Sequence, residues 1–194
     1  MFAWLNFFQK VIVAIGTWLA SQFVSLLMVT HDGWADIYNA DGSFNRREKL
    51  VLRFWNGITT TGINNLFNVY FGATSKASAW YLGLIASSGY SALAAADTIS
   101  SHTGWTEETS NYSQSTRPQW TPASASGGSV SNSSSVDFTI TGSVTVKGIF
   151  VVNENTKGGT TGTLWATALF TSGDQALVNG QTLKVTYICS GSSS

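Results

Sequence analysis

Between residues 136 and 189 apolar positions alternate with hydroxyl-bearing or small ones in four short runs, 136–141, 144–152, 163–170 and 182–189. A period of two is what a strand shows when one face is buried and the other is wet, and it puts Phe138 and Ile140 on the same side. Thr141-Gly142-Ser143, Lys157-Gly158-Gly159 and Asn179-Gly180 separate the runs and supply the tight-turn residues of antiparallel connections. Upstream, residues 33–38 lead into Asn39-Ala40-Asp41-Gly42, and 49–55 return as a second strand, which predicts a hairpin. The period changes over 59–71, where Ile63, Leu66, Phe67 and Tyr70 have helical spacing, Thr or Gly residues precede them as caps, and Gly72 can end the segment. We expect one amphipathic helix there, covering an edge or face of the sheet. The nearly continuous apolar run 79–85 predicts a strand buried on both sides, with Gly83 at a point of close packing. Residues 87–135, which contain both prolines, Pro118 and Pro122, read as mostly irregular, and so long a loop is usually functional or packed against something else.

The pattern therefore predicts a mainly β fold, an antiparallel sandwich or jelly roll of about eight strands, with one amphipathic helix. Residues 1–30 stand apart. Val11 to Val29 carries no charge, and by length it could span a bilayer. Asn6, Lys10, Thr17 and Ser21 nevertheless fall on one narrow helical face, while Leu5, Phe8, Ile12, Ile15, Leu19, Leu26 and Val29 form a seam broken only by Gln22. A secretory signal would carry its basic region earlier than Lys10. An apolar helical arm buried against another protein is the first reading, with Trp4, Phe8, Ile12, Ile15 and Leu19 as contact residues. Membrane contact and a signal stand beside it. The organisation expected is an arm over 1–30, one domain over 31–189, and a flexible tail over 190–194.

Composition narrows the function. Charged residues make up 10% of the chain, aromatics 13%, and ten basic side chains balance ten acidic ones. A phosphate-binding groove needs a clustered positive excess, so nucleic acid is not an expected partner. The small cluster Arg46-Arg47-Glu48-Lys49 is better read as a solvated strand end. So neutral and aromatic a surface suits a protein that lives in an assembly. Cys189 is the single cysteine and has no intrachain partner, which points to folding in a reducing compartment.

No catalytic or metal-binding pattern emerges, and no cofactor is expected. The candidate acids are Asp97, Glu107, Glu108, Asp137, Glu154 and Asp174, and a glycosidase would need two of them on facing walls of a cleft. Glu107 and Glu108 lie beside Trp105, but neighbours in an extended chain point to opposite sides. His31 and His102 have no metal-ligand spacing with Cys189 or a carboxylate. Trp105, Tyr112, Arg117 and Trp120 are the one concentration of recognition-type residues. Three readings apply: they plug the end of the fold, anchor a protein partner, or stack a sugar.

The ordered motifs 56–66 (Asn-Gly-Ile-Thr-Thr-Thr-Gly-Ile-Asn-Asn-Leu), 79–85 (Ala-Trp-Tyr-Leu-Gly-Leu-Ile), 102–107 (His-Thr-Gly-Trp-Thr-Glu) with Arg117, and 158–165 (Gly-Gly-Thr-Thr-Gly-Thr-Leu-Trp) resemble those of a family of small virion proteins of tailed bacteriophages. The similarity spans roughly Asp32 to Tyr187, and residues 1–30 depart from it. The resemblance implies a structural protein of the virion, assembled in the host cytoplasm. Its expected form is a homotrimeric β-barrel or jelly-roll cement (decoration) protein on the capsid, with the major capsid protein or other virion subunits as partners. The alternative it implies is a tail-fibre, neck or receptor-binding component that contacts host glycans.

Overall fold

The computed structural model describes residues 28–51 and 57–192. The arm expected over 1–30, with Trp4, Phe8, Ile12, Ile15 and Leu19, lies almost wholly outside them. Residues 52–56 and 193–194 lie outside them as well. Thr30–Ser190 forms one compact unit.

Eleven strands and one helix make up the described chain. The strands are β1 (Met28–Tyr38), β2 (Phe44–Val51), β3 (Trp80–Ala86), β4 (Glu107–Glu108), β5 (Gln119–Trp120), β6 (Ser129–Ser131), β7 (Val136–Thr139), β8 (Val144–Val152), β9 (Leu164–Phe170), β10 (Gln175–Leu177) and β11 (Thr182–Ser192); the helix is α1 (Thr60–Tyr70). All four runs between 136 and 189 are strands, and Phe138 and Ile140 are both buried. The surplus over about eight comes from two- and three-residue pieces, three of them within 87–135, too short to display alternation. β11 runs on to Ser192, so residues 190–192 are strand rather than flexible tail; Ser190 pairs with Ser129 there.

The sheet is antiparallel and runs β4-β3-β8-β9-β2-β1-β11-β6, with β10 on β8, β5 on β3 and β7 on β11. It is not closed by a strand ladder. β1 and β2 form the expected hairpin, where Asn39 N–H donates to Ser43 O (2.9 Å) and Asp41 Oδ1 accepts from Ser43 N (2.9 Å). The return strand begins at Phe44, earlier than expected, because Arg46 to Lys49 pair across to Trp34 to Ile37 as strand residues. Their charges are matched locally, Arg47 with Asp36 and Arg46 with Glu48.

Alternation along β3 and β8 divides the apolar residues between two cores. Leu82, Leu84, Val146, Ile149 and Val151 join the larger one with Phe138, Ile140, Leu183, Val185 and Tyr187. Ile85, Phe150 and Val152 join a smaller cluster with Ile99, Trp105 and Leu164, closed by Tyr90 and Leu93. The first part of the long loop is thus the cover of the sheet's second face. This is why 79–85 reads as apolar throughout. Gly83 makes the second core possible: a Cβ built there would fall 2.2 Å from Phe150 Cζ.

Gly83→Ala is expected to destabilise the fold by roughly 1–3 kcal/mol, the usual range for overpacking. The ring is what the methyl meets, so the penalty in a Phe150→Leu background should be smaller than in the wild type. Urea unfolding of the four variants checks this, and equal penalties would show that the Phe150 ring is not the obstacle.

Candidate functional site

Arg117 and Glu107 form the most deeply buried ion pair among the described residues, with side chains 0% and 6% exposed. Glu107 sits in β4 opposite Ile85, and Arg117 precedes β5. Nε donates to Glu107 Oε1 (2.9 Å) and Nη2 to Oε2 (2.7 Å), the two-point fork that a planar guanidinium makes with a carboxylate. The remaining contacts tie down the loop between β8 and β9. Nη1 donates to Glu154 O and Nη2 to Gly159 O, both at 3.0 Å, and Gly158 N–H donates to Glu107 Oε2 at 2.8 Å. The guanidinium lies 5.2 Å from the Phe150 ring centroid.

Next to it, Lys157 donates to Thr109 O and Tyr112 O, each at 3.1 Å, and its ammonium stands 3.6 Å from the Tyr112 ring centroid. Burial pulls the Lys157 pKa below the usual lysine value, opposed by Glu107 and Glu108. Glu108 is equally committed, since its Oε1 accepts from Ser110 N, Asn111 N and Asn111 Nδ2. Glu107 thus lies in a closed network and Glu108 caps a turn. Together they bolt two loops to the second core.

The aromatics singled out from the sequence are also interior. Trp105 Nε1 donates to Asp97 Oδ2 at 2.9 Å, and His102 stacks on the indole at 3.9 Å between centroids. Tyr112 stands edge-on to Phe138, and Trp120 edge-on to Tyr187, whose carbonyl accepts from Trp120 Nε1 at 3.3 Å. Trp105 belongs to the smaller core, Tyr112 and Trp120 to the larger, so the three do not converge on one face. They fill cores rather than present a stacking platform. The Tyr112 hydroxyl is buried with no hydrogen-bond partner among the described residues, and burial raises its pKa well above the ordinary phenol value.

The other acids are engaged locally: Asp137 with Lys184, Asp174 with Lys147 and Ser87, and Glu154 with Thr156. Among the described residues no group of three or more His, Cys, Asp or Glu could hold a metal ion, and no helix is long and apolar enough to cross a membrane.

What the fold does present is α1. Thr59 caps it, accepting from Gly62 N at 3.0 Å, while Thr59 N–H donates to Trp165 O at 2.9 Å. Gly62 lets the first turn sink onto β9: a Cβ there would lie 2.4 Å from Trp165 O. At 100° per residue Leu66 and Val69 lie near Gly62, whereas Ile63, Phe67 and Tyr70 centre roughly 100° around the helix. The former are half-buried and the latter are 40%, 48% and 78% exposed, with Phe71 beyond them at 79%. The helix does lie against the sheet, at β9, but of Ile63, Leu66, Phe67 and Tyr70 only Leu66 is half-buried, so the apolar face read from the spacing is corrected. Small residues, Thr59 and Gly62, make its closest contact with β9. That juxtaposition is the signal that could have oriented it.

The chain matches no protein-family model and no curated protein.

Arg117→Ala should cost about 3–5 kcal/mol, because it leaves Glu107 charged, buried and unpaired. Tyr112→Phe should be neutral or stabilising, since it removes an orphaned buried hydroxyl, whose desolvation costs about 1–3 kcal/mol. Chemical denaturation of both variants measures the contrast, and a harmless Arg117→Ala would mean that the pair does not hold the loops.

Proposed function

We propose that the chain is a non-enzymatic structural protein of a tailed-bacteriophage virion, a capsid cement protein that acts as a homotrimer and bridges neighbouring capsid subunits. The observation that carries the reading is the allocation of residues. Among the described residues the acids and large aromatics suited to chemistry or sugar stacking are spent on holding loops and filling cores, while a charge-free apolar helix face is left outward. A protein that works by contact area has this pattern. The ordered motifs that resemble phage virion proteins point the same way, and on this reading the two-sided sheet is the core of a jelly-roll-like wall. Residues 1–30 serve as an apolar arm packed on the major capsid protein or another virion subunit, with lipid contact as the alternative.

The mechanism is linkage. A protein that binds only the assembled, expanded shell lowers that state's free energy relative to the disassembled one and so raises the cost of breakage. A tail-fibre or receptor-binding module is the runner-up. It draws less support, because Trp105, Tyr112, Arg117 and Trp120, the residues that would stack a glycan, are buried.

The test is the position of the protein in a reconstruction of the particle. Copies at capsid symmetry axes, together with earlier thermal release of the genome from particles lacking the protein, are the expected result. A few copies confined to the tail tip would replace the cement reading with the fibre one.

A further inference from the structure

We propose, independently of the virion reading, that Asn179 is a latent site of spontaneous modification, deamidation through a cyclic imide, which the fold holds shut through the Gly180 amide and the Gln181 side chain. Asn179 is followed by Gly180, the neighbour that puts no side chain in the way of such a ring. In the reaction the backbone nitrogen of Gly180 gives up its proton and bonds to Asn179 Cγ. The Cγ–Nδ2 bond breaks and the side-chain nitrogen leaves as ammonia. Water then opens the imide at either carbonyl and leaves aspartate or isoaspartate at 179, with no oxidant or catalyst required. Asn179 is exposed, so solvent and base reach it, and the restraint has to be geometric.

Gln181 N–H donates to Val178 O at 3.1 Å, Gly180 has a φ of +85°, and Asn179 has no positive φ. These are the marks of a type II turn centred on Asn179 and Gly180. In that turn the peptide unit between the two residues carries the Gly180 nitrogen away from Asn179 Cγ, so cyclisation requires the unit to swing round. The swing is braced. Gly180 N–H donates to Ile140 O at 2.9 Å and Ile140 N–H donates to Gln181 O at 2.8 Å, which ties the turn to the residue just past β7. Ile140 and Gln181 are both buried, and Gln181 Oε1 also accepts from Val178 N at 3.0 Å. A proton held in such a bond is not free to leave, and moving the nitrogen would strip Ile140 O of its donor. Asn179 therefore reacts only when the turn opens locally, at the unfolded rate multiplied by the small fraction of time spent open. The product would not be silent. A Cβ at Gly180 would already meet Ala40 Cβ at 2.7 Å, so the extra backbone methylene of isoaspartate would press this turn off the β1–β2 hairpin.

The experiment follows aspartate and isoaspartate at position 179 by peptide mapping and mass spectrometry, in the full-length chain held in mildly alkaline buffer, folded and in guanidinium chloride. The folded wild type is expected to react more than about ten-fold slower than the unfolded one, because only the open turn can cyclise. Gln181→Ala removes the Oε1 brace and is expected to react several-fold faster than the wild type while far-ultraviolet dichroism shows it folded. Equal rates for the folded and unfolded wild type would overturn the proposal, and that comparison needs no variant. A folded Gln181→Ala that keeps the wild-type rate would overturn it too. Neither result bears on where the protein sits in a particle, so failure here and failure of the cement reading are separable.

Discussion

Phe150 can occupy its place only because residue 83 has no side chain. Its ring fills the space beside β3 that a Cβ at Gly83 would claim, with Trp105 5.1 Å away between centroids and the Arg117 guanidinium 5.2 Å from its own centroid. A sheet with one buried face needs no such arrangement, whereas this one buries β3 and β8 on both. The second face must then be covered by chain that is not itself sheet, and such chain brings backbone polar groups that need partners. The Arg117–Glu107 pair answers that need. It supplies donors to two loop carbonyls and an acceptor for a loop amide in a place where water is scarce. A buried ion pair is poor evidence for net stability, since burial of both charges costs nearly what the pair returns. Its value is in fixing which loop lies on which strand.

The same long segment protects the edges of the sheet. The outer side of β3 is occupied in turn by β5, by Pro118 O accepting from Leu82 N, by β4, and by Thr106 O accepting from Ala86 N. On the outer side of β11 lie β7, then Asn132, whose side chain donates to Val185 O and accepts from Tyr187 N, then β6. An uncovered edge of this length would invite pairing with another chain. Isolated bridges, Tyr112 with Ile140 and Pro122 with Asn132, link these guard segments across the gap that the ladders leave open. A protein with so few charges cannot keep its edges apart by repulsion, and uses serine, asparagine and short strands instead.

The helix is handled differently. It is held by its first turn, through a capping threonine and a glycine against the Trp165 carbonyl, and its apolar strip faces away from the sheet. Hydrophobic periodicity says that a helix has an apolar side, and the natural inference is that this side faces the core. Here the larger core is already filled by strand residues and by Trp120 and Tyr112. The strip stays exposed.

Local physics was legible in the amino-acid order by itself. Alternation marks β7, β8, β9 and β11, because a strand's side chains change face at every residue. Positive-φ glycines mark the turns at Gly42, Gly158 and Gly180, and helical spacing with a threonine cap marks α1. The continuous apolar run with Gly83 marks burial on two sides. Pairing was not legible. β8 and β9 do form a hairpin across Gly158, but 141–143 joins β7 to β8 without pairing them, and the β2–β1 hairpin sits between β9 and β11. Turn chemistry dictates only how the chain bends, whereas the neighbour of a strand is chosen by which apolar faces close the core together. The fate of Trp105, Tyr112, Arg117 and Trp120 was decided in the same way. A tryptophan looks alike in sequence whether it fills a core or anchors a partner, and only the tertiary fold, by closing over these four and leaving Phe67 and Tyr70 outside, separates the two uses.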